Sequence, residues 1–361
     1  MQKAKQINYL FLFSVMVLSA IGLLMVFSAS PTMALKHGDT YFYLKKQLLY
    51  SLLGVAALIY GAKLDLEELK KRAGLIFAIS VALLVLVFIP GVGRKVLGAS
   101  RWIDLGILSF QPSELIKFTM VLILAKWLSV KKSQIGDFFG GFVPPLLLFA
   151  LVSALIMKQP DMGTVITIGI TVFLMLFFAG ARIVHLMLLG GVGVAGALVM
   201  SIITPYRMQR LVAYIDPWKD PQGVGFHIIQ SLLAVGSGGL FGLGLGASRQ
   251  KFFYLPQQFT DFIFAILCEE MGFFGGVSVV AFFALFAVQG YRIALAADDE
   301  FKRLLAAGLI SWITMQAIIN IMVVIGLIPT TGIPLPFISY GGTATIINLF
   351  AVGIVLNISK K

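Results

Sequence analysis

Ten long apolar runs limit the folds open to this chain more than any other feature of its sequence. A helix needs about 20 mainly apolar residues to cross roughly 30 Å of hydrocarbon. The 361 residues are 59% hydrophobic and 12% charged, which is more apolar surface than a water-soluble domain can bury. Because the runs are too long for barrel strands, they predict an all-α polytopic membrane protein with ten transmembrane helices. The predicted spans are residues 7–29, 43–61, 73–90, 112–129, 141–157, 162–180, 183–203, 260–289, 304–327 and 341–357.

The first run resembles a signal peptide, because Lys3 and Lys5 precede it and a Ser-Ala-Ser sequence follows it. It is longer than an ordinary signal-peptide core and nine further runs follow, so we expect an uncleaved first helix. An even number of spans places both termini on one side of the membrane. We predict that this side is the cytoplasm of a bacterial cell and that the protein crosses the inner membrane many times.

Lysine and arginine are divided almost evenly between the two predicted faces, which is unusual for a membrane protein. Most of the outer cations fall in residues 94–117 and in the loop 204–259, and without them the usual cytoplasmic excess returns. Composition leaves two interpretations open: attraction to anionic lipid headgroups, or a phosphate-binding site on the outer face. The outward position argues against nucleic acid as a partner, despite the net charge of +12.

The loop 204–259 between the seventh and eighth spans is much longer than the others, and loops of this length are usually functional. The remaining connections are short, so we predict a single domain over residues 1–361. The loop has an amphipathic stretch at 227–235 and a glycine run at 236–246. The run lacks the strand–turn–helix setting of a nucleotide-binding motif, which favours close packing or an irregular re-entrant turn.

Cysteine and histidine offer little for metal or redox chemistry. Cys268 is the only cysteine and lies in a predicted span, which excludes a disulfide within the chain. The three histidines are scattered along the sequence, which argues against a histidine metal cluster.

Asp261 is the most informative ionisable residue, because it stands where the long polar loop becomes an apolar helix. A carboxylate at a water–hydrocarbon boundary costs free energy unless it is used, and this position suits a substrate with a lipid tail and a polar head. Capping of the helix is the alternative role. Glu269 and Glu270 lie two turns deeper, where we expect them to face the bundle interior in a structural or gating role.

Glu114 and Lys117 form a second candidate pair, three residues apart on one helix face after Pro112. One interpretation places both in a polar cavity, the usual reason for a charge inside a membrane. In the other, Glu114 complements the helix dipole and Lys117 extends outward to the interface.

Four further candidates lie near the predicted outer face: Asp161, Arg207, Arg210 and Ser339. Asp161 opens the sixth span, where a helix cap is as reasonable as a substrate or metal contact. Arg207 and Arg210 are suited to phosphate, of either substrate or lipid. Ser339 lies in the last outer loop, where it would bind sugar hydroxyls or pack the loop end.

Five separated motifs together resemble the SEDS family (shape, elongation, division and sporulation), most nearly its FtsW/SpoVE branch. They are RWIDLG with FQPSELIKF, QPDMGT, DPWKDPQGVGFHIIQSLLAVGSGGLFG, TDFIFAILCEE and PLPFISYGG. The resemblance covers nearly the whole chain in the family order. Phe259 is one departure, since many relatives have histidine directly before the Thr-Asp pair.

The resemblance implies a peptidoglycan glycosyltransferase that polymerises lipid II, a disaccharide-pentapeptide on undecaprenyl pyrophosphate, at the outer face of the membrane. It implies a class B penicillin-binding protein (a transpeptidase) as partner, with other division or sporulation membrane proteins. Asp261 would be catalytic, with Glu114 and Lys117 in the same cavity. Asp161, Arg101 and Arg210 match further motif positions. No cofactor follows with certainty, although Asp161 or Glu114 would suit a divalent cation such as Mg²⁺ or Mn²⁺.

The predicted chemistry is one inverting displacement with Asp261 as general base. Two alternatives from other classes remain at this point: a lipid II flippase and a non-catalytic scaffold for the transpeptidase. A transporter site normally lies near the bilayer midplane, whereas most candidates here lie at one boundary. A scaffold would not need Asp261.

Overall fold

The computed structural model describes residues 8–96, 99–104, 106, 109–251 and 258–360, and this part of the chain is mainly helical. The α-helices are α1 (Tyr9–Ala29), α2 (Pro31–Ala34), α3 (Phe42–Gly61), α4 (Leu66–Leu86), α5 (Pro112–Val130), α6 (Val143–Lys158), α7 (Met162–Phe178), α8 (Ile183–Ile203), α9 (Pro205–Ile215), α10 (Phe226–Ser237), α11 (Ile263–Leu295), α12 (Glu300–Val324) and α13 (Gly342–Ser359). The strands are β1 (Gly93–Val96), β2 (Ala99–Asp104) and β3 (Ser109–Phe110).

Every predicted span overlaps one of these helices, which confirms the prediction of a polytopic helical membrane protein. Within the described residues, seven helices are each long and apolar enough to cross a membrane on their own: α1, α3, α6 with the preceding turn, α8, α11, α12 and α13. The helix α7 is apolar but has only 17 residues. Lys3 and Lys5, on which the signal-peptide comparison rested, lie outside the described residues.

Several helix boundaries differ from the predicted spans by a few residues, and two of these differences matter for the site or have a local cause. The helix α4 begins at Leu66 rather than near residue 73, because the Asp65 side chain accepts hydrogen bonds from the amides of Glu67 and Glu68. Acidic residues in a first turn also suit the helix dipole. The helix α11 begins at Ile263, so Asp261 lies before the helix and not in its first turn.

A small antiparallel sheet, absent from the prediction, connects α4 to α5 with strand order β1-β2-β3. Its strands have two to six residues. Such short strands leave too little alternation to detect in the sequence. The side chains of residues 94–99, part of the predicted cationic segment, lie outside the description.

The core is centred on α12, which is buried along most of its length against α5, α7 and α11. Trp312 on this helix is among the largest fully buried side chains. The helices α3 and α13 pack so closely that a Cβ on Gly353 would lie 2.2 Å from the Leu58 carbonyl oxygen. Small residues permit this approach between membrane helices.

The helix α11 is broken at Gly272, where φ is 68° and ψ is −166°. At the break, backbone hydrogen bonds run to the glycine run instead of along the helix. The amide of Leu243 donates to the Glu269 carbonyl (3.0 Å), and the amide of Phe273 donates to the Gly239 carbonyl (2.8 Å). Of the two predicted roles of the glycine run, close backbone packing is therefore confirmed.

The carboxylates of Glu269 and Glu270 also hold this segment, as expected for interior groups with partners. Glu269 accepts from the Ser248 hydroxyl and from the Arg249 amide (2.9 Å). Glu270 accepts from the Ser28 hydroxyl (2.7 Å) and pairs with Lys251 (3.3 Å). These contacts fix the segment that leads from the glycine run toward Asp261.

Candidate active site

Asp261 lies in a polar neighbourhood between α11 and three other parts of the chain. The N-cap residue of α11 is Phe262, whose side chain makes no capping hydrogen bond, so Asp261 does not occupy the capping position. Within the described residues, the charged groups that act on its carboxyl are Asp161, Arg210 and Arg101. These four residues come from distant positions in the sequence, and the fold brings them to one end of the bundle.

The environment makes the Asp261 carboxyl a weaker acid than usual. Burial and, secondly, the neighbouring Asp161 carboxylate raise the pKa of Asp261 to about 6, against the opposing effects of Arg210 and Arg101. A carboxyl with a pKa near the working pH is suited to taking a proton during a reaction and releasing it afterwards.

Asp161 is the N-cap of α7, which confirms one of its two predicted roles. Its side chain accepts from the Thr164 amide (3.1 Å) and from the Thr164 hydroxyl (2.9 Å), and the residue is 6% exposed. The cap holds a negative charge close to Asp261.

Each of the two arginines donates hydrogen bonds to backbone carbonyls. Arg101 in β2 donates to the carbonyls of Gln159 (2.8 Å) and Pro160 (2.7 Å), immediately before Asp161. Arg210 on α9 donates to the Thr330 carbonyl (2.9 Å) and lies over the ring of Tyr206. Such fixed guanidinium groups are suited to binding phosphate or carboxylate.

The loop 328–341, which we call the site loop, touches the other components of this region. Gly332 has φ of +75°, and a Cβ built there would lie 3.7 Å from Oδ2 of Asp261. A Cβ on Gly163, at the start of α7, would lie 2.7 Å from the Thr331 carbonyl oxygen. Because Thr330 also holds Arg210, the site loop contacts three of the segments that carry charged groups.

Glu114 and Lys117 form a buried ion pair on α5. Their charged atoms are 2.8 Å apart and the residues are only 3% and 2% exposed, so Lys117 does not extend outward. Lys117 also donates to Oε1 of Gln316 (2.8 Å) and lies over the Trp312 ring. Since Gln316 donates to the Pro334 carbonyl (2.9 Å), the pair reaches the site loop through one amide side chain.

Two other predicted site residues make contacts inside the protein. Arg207 donates weakly to the Thr204 hydroxyl (3.4 Å) and lies beside Met157. Ser339 donates to the Thr260 carbonyl (2.6 Å) and accepts from the Leu335 amide (2.8 Å). The structure thus gives Ser339 the loop-packing role that was its alternative, and its contact with substrate stays a prediction.

Phe259, the departure from the family pattern, packs in an aromatic cluster beside the site. Its ring centroid lies 4.6 Å from that of Tyr43 and 5.6 Å from that of Tyr340. An apolar ring suits this packing.

Gln316 and Asn320 were missed by sequence reasoning. Both are 1% exposed on α12 and donate to carbonyls of the site loop. The available signal was two amides one turn apart inside an apolar span, where a polar side chain needs a buried partner.

The donor set limits how a divalent cation would bind. In the part of the chain that the structure describes, no group of three or more His, Cys, Asp or Glu side chains could hold a metal ion. Of the two predicted metal ligands, Glu114 is paired with Lys117 through one oxygen, which leaves Asp161 as the better candidate. Mg²⁺ is commonly held by one or two carboxylates together with water and substrate phosphates, and Asp161 would fit that pattern as a single carboxylate ligand.

The fold and the site together define a polytopic α-helical membrane protein with paired aspartates and arginines at one end of the bundle. The family model described as "Cell cycle protein", for FtsW, RodA and SpoVE, matches residues 8–361, and the chain belongs to this family. The predicted resemblance to SEDS proteins is therefore confirmed.

Individual relatives agree with the family assignment. Stage V sporulation protein E of Bacillus subtilis is 49% identical over 96% of this chain and 94% of its own length. A probable peptidoglycan glycosyltransferase FtsW of Geobacter sp. is 41% identical over 100% of this chain and 99% of its own.

Two solved structures extend the likeness to the fold. A chain from a peptidoglycan synthase complex that coordinates polymerisation and crosslinking has a TM-score of 0.80, with 30% identity over 98% of this chain and 97% of its own. Rod shape determining protein RodA of Thermus thermophilus has a TM-score of 0.73, with 28% identity over 98% of this chain and 96% of its own.

Proposed function

We propose that this protein is a peptidoglycan glycosyltransferase that polymerises lipid II, with Asp261 as the general base. The observation that carries the proposal is the half-buried Asp261 carboxyl with Arg101, Arg210 and Asp161 around it. The names of relatives that match almost the entire chain support the same reaction class.

The reaction begins with an attack by the 4-hydroxyl of the acceptor N-acetylglucosamine on C1 of the donor N-acetylmuramic acid. A sugar hydroxyl is a weak nucleophile, so Asp261 takes its proton as the new bond forms. The bond between C1 and the pyrophosphate oxygen breaks on the opposite face, and the α-linked donor becomes a β-1,4 link. Undecaprenyl pyrophosphate leaves with the bonding electron pair.

The two arginines stabilise the negative charge that grows on the leaving pyrophosphate. Arg101 and Arg210 are held by backbone carbonyls before the substrate arrives, and fixed donors of this kind typically contribute a few kcal/mol each in the transition state. A divalent cation held by Asp161 would supply further charge neutralisation, which leaves the Asp261 carboxylate free to act as the base. Glu114 and Lys117, predicted as catalytic, act in this proposal through Gln316 as supports of the site loop.

The chemistry also requires an orientation. Lipid II is polymerised outside the cell, so we infer that the end of the bundle with Asp261 faces outward and that both termini are cytoplasmic. The likeness to a chain of a peptidoglycan synthase complex supports a class B transpeptidase as partner.

The test is polymerisation of lipid II by the purified protein, with and without the transpeptidase and a divalent cation. Glycan strands made by the wild-type protein support the proposal. If no condition yields glycan, and the protein instead moves lipid II across the bilayer of liposomes, the protein is a transporter and the proposal is wrong.

A further inference from the structure

Asn320 connects three parts of the site from within the buried face of α12. Its side-chain Nδ2 donates to the Asp261 carbonyl (2.7 Å) and to the Ile333 carbonyl (2.7 Å). One amide group therefore joins α12, the segment before α11 and the site loop. The residue is 1% exposed, so water does not replace these bonds easily.

The chemistry of the two partners fixes the orientation of this amide. Both are carbonyl oxygens, which only accept, so the NH₂ end of Asn320 must face them. Within the described chain, the Oδ1 atom of Asn320 is buried without a hydrogen-bond partner. A buried unpaired acceptor costs about 1–3 kcal/mol, so stability alone gives little reason for an amide here. The gain lies in what its two donors hold.

Asn320 completes a series of bonds to three consecutive carbonyls. The Phe259 carbonyl accepts from the Tyr340 amide (2.9 Å), and the Thr260 carbonyl accepts from the Ser339 hydroxyl (2.6 Å). The Asp261 carbonyl accepts from Asn320. The backbone of residues 259–261 is thus held by the site loop on two bonds and by α12 on the third.

The Asn320 side chain also holds the site loop, which carries groups that surround the Asp261 carboxylate. Ile333 follows Gly332, whose backbone lies next to Oδ2 of Asp261. The site loop also carries Thr330, whose carbonyl orients Arg210. A shift of the site loop relative to residue 261 would therefore change the distance between the Asp261 carboxylate, which is the base, and the Arg210 guanidinium, which stabilises the leaving group.

We propose that Asn320 is a positioning residue, which keeps the Asp261 backbone in register with the site loop and so sets the place of the carboxylate. The inference rests on the proposed glycosyltransferase function. Displacement of a reacting group by about 1 Å can reduce a rate about 100-fold without loss of substrate binding. Loss of the two bonds should therefore lower kcat and leave KM nearly unchanged.

The experiment compares Asn320→Leu with Asn357→Leu in full-length protein. Asn357 on α13 makes an equivalent pair of bonds, to the carbonyls of Gly61 (3.1 Å) and Leu64 (2.7 Å), remote from Asp261. Lipid II polymerisation gives kcat and KM for each variant. We expect kcat of Asn320→Leu to fall about 10- to 100-fold, with KM within about twofold of wild type. Asn357→Leu should keep wild-type kcat.

Hydrogen exchange of the peptide 333–341 supplies a readout that does not depend on activity. The Tyr340 amide donates to the Phe259 carbonyl, and the Leu335 amide donates to the Ser339 hydroxyl, which in turn donates to the Thr260 carbonyl. Both amides should therefore exchange faster in Asn320→Leu and not in Asn357→Leu. The milder variant Ser339→Ala removes one bond of the series and should lower kcat by a smaller factor, which covers the case of an unfolded Asn320 variant.

The outcomes separate this inference from the proposed function. An active wild type together with an Asn320→Leu protein of unchanged kcat would overturn the positioning role. A fall in kcat equal to that of Asn357→Leu would also overturn it, because the loss would then be general. A wild type that makes no glycan would overturn the function, and hydrogen exchange alone would then decide whether Asn320 holds the site loop.

Discussion

Among the described residues, one carboxylate and two guanidinium groups act on the Asp261 carboxyl, and this arrangement makes its ionisation measurable through activity. With a pKa of about 6, the carboxyl is mostly ionised at pH 7 and mostly protonated at pH 5. Only the ionised form accepts a proton. The polymerisation rate should therefore rise with pH through about 6 and then level off.

Arg210 and Arg207 provide a matched pair of variants, because only Arg210 is among the groups that shift the pKa of Asp261. Arg210 lowers the pKa of Asp261, so Arg210→Gln should move the acidic limb of the rate profile to higher pH. Arg207, three residues earlier on α9, bonds to Thr204 instead, and Arg207→Gln should leave the limb in place. The measurement is the initial rate from pH 5 to 8. A limb that stays fixed, or moves down, in Arg210→Gln would contradict the assignment.

Single residues also show what the sequence could and could not predict. Glu114 and Lys117 lie three residues apart on one helix, so their pairing follows from helix geometry. The approach of Arg101 to Asp161 depends on how β2 packs against the start of α7, and such long-range packing has no local signal. Asn320 stood in the sequence as one amide in an apolar span, and only the fold shows the carbonyls that it holds.

At the scale of elements, the break in α11 and its contact with the glycine run are the least ordinary features of the fold. A run of 33 helical residues corresponds to about 50 Å, well beyond a hydrocarbon core of about 30 Å. The periodicity of the sequence gives one continuous span, because an isolated glycine is tolerated in a helical pattern. The break is visible only when the backbone partners of Glu269 and Phe273 are known.

Gly272→Ala should destabilise the protein strongly. Its backbone lies in a region that is essentially limited to glycine, which costs other residues about 1–3 kcal/mol. The added Cβ would also lie 2.3 Å from the Gly242 nitrogen. Thermal unfolding in detergent measures the effect.

Gly191→Ala on α8 is the matched control, because a Cβ there meets nothing within 4 Å. In a regular helix this change should be neutral or stabilising by up to about 1 kcal/mol. Equal unfolding temperatures for Gly272→Ala and the wild type would contradict the break in α11 at Gly272.

At the scale of the whole molecule, the proposed reaction needs the Asp261 end of the bundle outside the cell. The single cysteine, Cys268, is buried, which gives a low background for labelling. Trp218 in the long loop is 67% exposed, and the Lys132 side chain in the connection between α5 and α6 is 64% exposed. Three predicted spans lie between these two positions, so they are expected on opposite faces of the membrane.

A membrane-impermeant maleimide added to intact cells should therefore label Trp218→Cys. It should label Lys132→Cys only after the membrane is permeabilised. The reverse pattern would contradict the orientation, and with it the access of Asp261 to substrate outside the cell. Unchanged lipid II polymerisation by both variants is the control for correct folding.

The most direct test of the central claim is lipid II polymerisation by Asp261→Asn beside Asp216→Asn. Both variants remove one negative charge from the same long connection, and Asp216 is exposed. Loss of a general base typically lowers a rate about 10²- to 10⁴-fold, so Asp261→Asn should lose nearly all activity, with wild-type unfolding temperature. Asp216→Asn should polymerise like the wild type. Glycan synthesis by folded Asp261→Asn at the wild-type rate would contradict the assignment of Asp261 as the base.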